Sequence, residues 1–251
     1  MTFSLETTWT QLFHCNSEYV VRSSFDESQF ANAATLIDRS LGNFLSSARG
    51  FIDQVKNGAD QDDLKTINQY FSNQYDSSLA YRTMEALRNY SQHCGRPTQV
   101  LHYSGRWDIK DGVKSRLVQS VVPALSTETL RKEKQFKAAV LVELEARRLE
   151  QHPIMPLLRE YLSALSHALA DVRELYSDRQ HEWLAEMHGS VCRYCEFDGN
   201  SLGTGVVAIA CREDGSIDEE ILLLSDIQEK LKNLQQSNRP LLNLEKRQMI
   251  S

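Results

Sequence analysis

No run of apolar residues in this chain is long enough to cross a bilayer. The longest, such as Val206 to Cys211, fall far short of the roughly 20 residues that a membrane helix needs. The opening "MTFSLETTWTQLF" has neither a basic start nor a long apolar stretch, so no signal peptide is expected. Cysteine is sparse and odd in number, five in 251 residues, which fits free thiols in a reducing cytoplasm better than a disulfide framework. Nor is there an excess of positive charge. A formal net charge of -6 argues against coating nucleic acid through bulk charge, while leaving room for a local basic patch. Internal repeats, low-complexity segments, a phosphate-binding glycine loop, a serine nucleophile elbow and a paired-carboxylate site are all missing. Asp62 and Asp63 read as the acid-enriched start of a helix. What is there is ordinary globular material: 41% hydrophobic and 25% charged residues can bury a sizeable core in one large or two smaller domains. The expectation is a soluble cytoplasmic protein with no membrane contact.

The apolar residues recur mostly at helical spacing. Residues 1–25 read as an N-terminal arm, in which "SEYVVRSS" suits a short strand or an extended segment. Ile37, Leu41, Phe44, Leu45, Ala48, Ile52 and Val55 step by three and four and predict an amphipathic helix ending at Gly58. Asp60 suits the cap of a second long helix, with Leu64, Ile67, Phe71, Leu79, Met84 and Leu87 on its buried face and a stop at Gly95. Together the two read as an antiparallel hairpin. After Pro97, "TQVLHYSGRW" alternates weakly, as a strand or an irregular crossover. Leu130 to Glu150 returns to helical spacing behind a possible cap at Ser126 or Thr127, and His152-Pro153 ends it. One further stripe runs through Leu157, Tyr161, Leu162, Leu165, Leu169, Val172, Leu175 and Trp183. Past Gly189, two apolar runs flank an Asp214-Gly215 turn signal, and a polar helix closes the chain.

Chemistry gathers at the end of the second long helix, in "MEALRNYSQHCGRP". Asn89 and His93, four apart, share a helical face, whereas Arg88 and His93, five apart, diverge at Cβ. A long arginine and a loosened last turn would let both heads reach one anion. A guanidinium offers a fork of donors to phosphate, and an imidazole moves protons near neutral pH. That pairing suits metal-free cleavage of a phosphodiester, and RNA supplies its own nucleophile in the 2′-hydroxyl. The surroundings are basic. Between Arg82 and Arg116 stand seven basic residues (Arg82, Arg88, Arg96, Arg106, Lys110, Lys114, Arg116) against Glu85, Asp108 and Asp111. Tyr90, Tyr103 and Trp107 lie among those charges and are of the kind that stacks on unpaired bases. A plainer reading gives Arg88 and His93 the routine task of complementing a helix C-terminus, and gives the aromatics to the core.

"RNYSQH", Arg88 to His93, resembles the R-x(4–6)-H signature of the HEPN superfamily, with a polar residue directly after the arginine. The resemblance implies a compact antiparallel helical bundle over residues 26–190, a homodimer with two motifs facing each other, and a metal-independent ribonuclease of toxin or phage-defence type. It makes Arg88 and His93 the catalytic pair and Asn89 their polar support. Arg82, Arg96, Arg106, Tyr90, Tyr103 and Trp107 would then contact RNA. No cofactor is implied, and an antitoxin-like protein is a candidate partner. Other members of the superfamily are non-catalytic interaction or dimerisation modules, which is the competing expectation here.

His181, His188, Cys192 and Cys195 form the one other set of chemical interest. Their types suit zinc, but no second Cys-x2-Cys is present and the His pair would have to reverse sharply at Gly189, so no metal is expected. The expected architecture is mainly α, a HEPN-like bundle followed by a small C-terminal α/β appendage over residues 191–251.

Overall fold

The computed structural model describes residues 19–21, 27–93, 95–110, 113–198, 206–223 and 227–246. It is mainly helical, with small antiparallel sheets. Two compact units divide the chain: Met1–Leu165 with Asn243–Ser251, and Ser166–Leu242. No described helix is long and apolar enough to cross a membrane.

In the first unit, strand β1 (Tyr19–Val21) precedes helix α1 (Glu27–Asn57). The three- and four-residue spacing along α1 does what it predicts. Ile37, Leu41, Phe44, Leu45, Ala48 and Ile52 are all buried, and the helix stops at Asn57, one residue before Gly58. Asp60 occupies the cap position of α2 (Gln61–Ser77), where its carbonyl accepts the N–H groups of Asp63 and Leu64. Asp62 and Asp63 sit in the first turn, where the helix dipole favours acid.

The second long helix expected from the spacing is in fact two. Ser78 has an extended backbone, its hydroxyl accepts the N–H of Tyr81 and donates to Glu160 Oε1 (2.6 Å), and α3 (Leu79–His93) starts anew from it. A serine at this position competes with the helix for backbone partners, and here it wins. α3 is densely buried, with Ala80, Tyr81, Thr83, Met84, Ala86, Leu87 and Tyr90 all enclosed. Tyr161 stands edge-on to both Tyr81 (4.9 Å between centroids) and Phe44 (6.2 Å), which ties α1 and α3 to helix α6 (Ile154–Leu175).

The weak alternation after Pro97 becomes strand β2 (Val100–Lys110), paired antiparallel with β3 (Val113–Ser126). No strand is expected from the sequence over 113–126, where Pro123 interrupts the backbone donors. β3 nevertheless has three partners, with β1 on Leu117–Gln119 and β4 (Gln151–Pro153) on Ala124–Ser126. Leu101 and Val121 anchor the hairpin on Leu36 and Ile37 of α1.

Ser126 caps α4 (Thr127–Lys132) by accepting the Thr129 N–H. The single helix expected over Leu130–Glu150 is interrupted: α5 (Ala138–Ala146) begins only after a turn that buries Phe136.

The boundary between the units falls within α6. The second unit continues with α7 (Ser177–Asp198), the β5 (Val206–Cys211) and β6 (Ile217–Leu223) hairpin, α8 (Ile227–Asn238) and a 3-10 turn at Arg239–Leu241. The hairpin turns where the sequence signals it. Gly215 takes φ +82°, a conformation that suits glycine, and the Asp214 carboxylate accepts both the backbone N–H and the hydroxyl of Ser216. The apolar stripe expected to run on to Trp183 does not. The helix breaks at Tyr176 and the Trp183 side chain is exposed.

Candidate functional site

The final turns of α3 carry Arg88, Asn89 and His93 at the positions the sequence gives them, and the fold gives each a distinct setting. Asn89 and His93 are exposed on one side of the helix, and His93 is the last helical residue. Arg88 is half-buried. Its NH1 donates to Asn89 Oδ1 at 3.3 Å, while its Nε is enclosed with no hydrogen-bond partner among the described residues. This contact matters for the five-residue offset between Arg88 and His93. It puts one guanidinium nitrogen beside the side chain of Asn89, which lies one turn before His93 on the same face. Ser91 closes the same turn by donating its hydroxyl to the Arg88 carbonyl (2.9 Å).

Beneath these residues the helix is anchored by a buried acid–phenol contact. The Tyr161 hydroxyl donates to Glu85 Oε1 at 2.7 Å. Burial, and then the adjacent Glu85 charge, push the Tyr161 phenol well above the ordinary tyrosine value, so it stays protonated and holds the carboxylate. The positive charge of Arg88 acts on the same phenol in the opposite direction.

Beyond the helix, the segment is held by a residue that local sequence reading does not mark. Asp38 of α1 accepts the Thr98 N–H at 3.1 Å through Oδ1, and Oδ2 lies 3.8 Å from Arg96 Nε. Sixty positions separate Asp38 from Thr98, so no motif could have linked them. The Arg96 side chain remains mostly exposed, and its pairing is the weak kind found at surfaces.

Two residues expected to face RNA are used inside the protein instead. Arg82 donates through Nε and NH2 to the Glu143 carboxylate, and through NH1 to the carbonyls of Tyr75 and Asp76. Its donors serve the end of α2 and are not available to a phosphate. Tyr90 is 5% exposed, with its hydroxyl packed under Gly95, where an added Cβ would meet it at 3.2 Å. A ring so enclosed cannot stack on a base.

Tyr103 and Trp107 do stand in solvent, 46% and 49% exposed. They are opposite Val121 and Leu117 respectively, and four residues apart, so they share one face of β2. Lys114 of β3 lies over the Trp107 ring, 5.4 Å from its centroid. The side chains of Arg106, Lys110 and Arg116 lie outside the described residues.

His188 and Cys192 are one turn apart on α7, with Nδ1 3.6 Å from Sγ. The Cys195 side chain lies outside the described residues. Among the described residues no three His, Cys, Asp or Glu side chains gather closely enough to hold a metal ion.

Comparison with protein-family models, with curated proteins and with solved structures yields no match for this chain.

Proposed function

We propose that the end of α3 is an RNA-facing site and that the protein is a metal-independent endoribonuclease of the HEPN type. The observation that supports it most is the Arg88–Asn89 contact, since it puts a guanidinium nitrogen beside a residue that shares a helix face with His93. On this reading a phosphodiester lies over Asn89. The imidazole of His93 takes the proton from the 2′-hydroxyl, the 2′-oxygen bonds to phosphorus, and the bond from phosphorus to the 5′-oxygen breaks. The departing 5′-oxygen takes a proton from water. Arg88 balances the charge that develops on the phosphoryl oxygens. Arg96, Tyr103 and Trp107 extend the contact with RNA, and Arg82 and Tyr90 are withdrawn from it.

The test is cleavage of labelled RNA by purified protein. His93→Ala abolishes the activity and keeps the circular dichroism of the wild type, because His93 is exposed at a helix end. Arg88→Ala damages cleavage comparably. Leu87→Ala, fully buried next door, lowers stability by roughly 2–5 kcal/mol instead. The activity persists in EDTA. Wild-type protein that cuts no RNA, or cleavage unchanged by His93→Ala, sinks the catalytic reading.

A second reading, a non-catalytic dimerisation module, draws on the exposed apolar side chains of the hairpin. Tyr103, Trp107, Ile109 and Val113 are between 46% and 67% exposed. If they pair two copies, light scattering gives twice the chain mass and Trp107→Lys returns it to the single mass. A double mass unaffected by Trp107→Lys rejects this surface as the interface.

A further inference from the structure

Of the described residues from Arg173 to Leu242, none is buried. The second unit leaves large apolar side chains in water instead: Trp183 of α7 and Val207, Ile209 and Ile217 of the hairpin are each 45% exposed or more. The hairpin is the plainest case. Among the described residues β5 and β6 pair only with each other, so each keeps an outer edge of backbone donors and acceptors with no neighbouring strand. A two-stranded hairpin alone is marginal in water, and a third strand on an apolar face is what stabilises such a sheet. The face is there. Val207 and Ile209 are two apart on β5, and Ile217 lies opposite Cys211, the next residue of that alternation, so the three share one side.

Charge decides what kind of strand fits. Ser166–Leu242 holds fourteen Asp and Glu against seven Lys and Arg, a formal net charge of -7. Arg212, the one cation of the hairpin sequence, is held by Asp218 at 2.6 Å. Glu219 and Glu220 stand exposed on β6, opposite Ala210 and Ile209, and so on the two different faces of the ladder. Nucleic acid and anionic lipid are repelled by this surface, and a second copy of the unit would bring the same carboxylates against it.

We propose that β6 takes up a third strand from a basic partner protein, an extended segment rich in β-branched residues with adjacent cations. Main-chain hydrogen bonds along the open edge hold it. Its aliphatic side chains continue the face of Val207, Ile209 and Ile217, and two neighbouring cations meet Glu219 and Glu220, one on each side of the sheet. The surface is independent of Arg88 and His93, which belong to the other unit.

The experiment titrates the full chain with an end-capped peptide, Val-Thr-Val-Lys-Lys-Val-Thr-Val, at physiological ionic strength. Two controls are the same peptide with Glu-Glu at its centre and the lysine peptide methylated at every backbone nitrogen. The lysine peptide binds one per chain, and both controls bind at least about tenfold more weakly, one for its charge and one for its lost donors. In hydrogen exchange it adds protection within Ile217–Leu223. Reversing both charges, Glu219→Lys with Glu220→Lys, weakens the lysine peptide at least about tenfold and tightens the glutamate peptide, a gain that an unfolded variant would not show. An equal reversal at exposed positions of α7, Glu182→Lys with Glu186→Lys, leaves both affinities within about twofold, since the screened charges there touch neither peptide. No binding of the lysine peptide at millimolar concentration overturns the proposal. So does equal binding of either control, or an equal loss from the α7 reversal. A double chain mass in light scattering that the β6 reversal returns to single assigns the edge to a second copy, and also overturns it.

Discussion

His152 is a buried side chain with a polar head in an apolar place: it is 3% exposed on β4, and its Nε2 finds no hydrogen-bond partner among the described residues. Burial, and secondarily the charge of Arg147, lower its pKa below the ordinary 6.5. The folded protein therefore resists protonating this ring, while the unfolded chain takes up the proton at 6.5. The stability from a neutral His152 is present in full above that value and is lost as pH falls below it, toward the lowered folded value. Thermal melts should show a midpoint that drops between pH 6.5 and 5, with a smaller drop in His152→Leu. An identical pH profile in the variant would assign the drop to other groups. At the same scale, Arg88 and Arg82 show how little residue type says about role. The two arginines share a helix, yet one reaches a side chain at the helix surface and the other is consumed by a carboxylate and two carbonyls.

At the scale of elements, Arg82 acts as a clamp. It ties the last carbonyls of α2 to Glu143 of α5, more than sixty positions further along the chain. Arg82→Ala leaves those groups without their donor, and urea denaturation should show a loss of about 1–3 kcal/mol. RNA cleavage should keep its salt dependence, since the residue makes no phosphate contact in the proposed site; a shallower salt slope would return Arg82 to the RNA face. Much of the helical content was legible, because long amphipathic stretches such as Ile37 to Ile52 have one way to bury their apolar side. Helix breaks at Ser78 and around Phe136 were not, since a serine hydroxyl or a buried aromatic ends a helix only through its tertiary partners. Strand β3 was hidden for a related reason. Its sequence "VKSRLVQSVVPALS" alternates poorly, and its place is set by three neighbouring strands. Of the candidate site, the Arg-Asn-His grouping could be read from spacing. The roles of Asp38, Glu85 and Tyr161 could not, because each acts across 60 or more positions of chain.

For the whole molecule, the first unit is a helical core with a hairpin standing on α1, and it is the hairpin that reaches back to the beginning of the described chain. Tyr19 pairs with Gln119 and Val21 with Leu117, about a hundred positions apart, through only three residue pairs. This has a consequence in time. Closing a loop of that length in an unfolded chain costs about 4 kcal/mol in entropy, which three pairs cannot repay. Once Leu36 and Ile37 have met Leu101 and Val121, only residues 22–26 separate β1 from settled structure, and the same pairing becomes cheap. Folding should therefore be ordered, with the hairpin and α1 first and β1 last. In pulsed hydrogen exchange during refolding, the amides of Tyr19–Val21 should gain protection after those of Leu101–Tyr103, and simultaneous protection would contradict that order. Strand β1, synthesised before α1 and the hairpin, would be the last of the three to find its place.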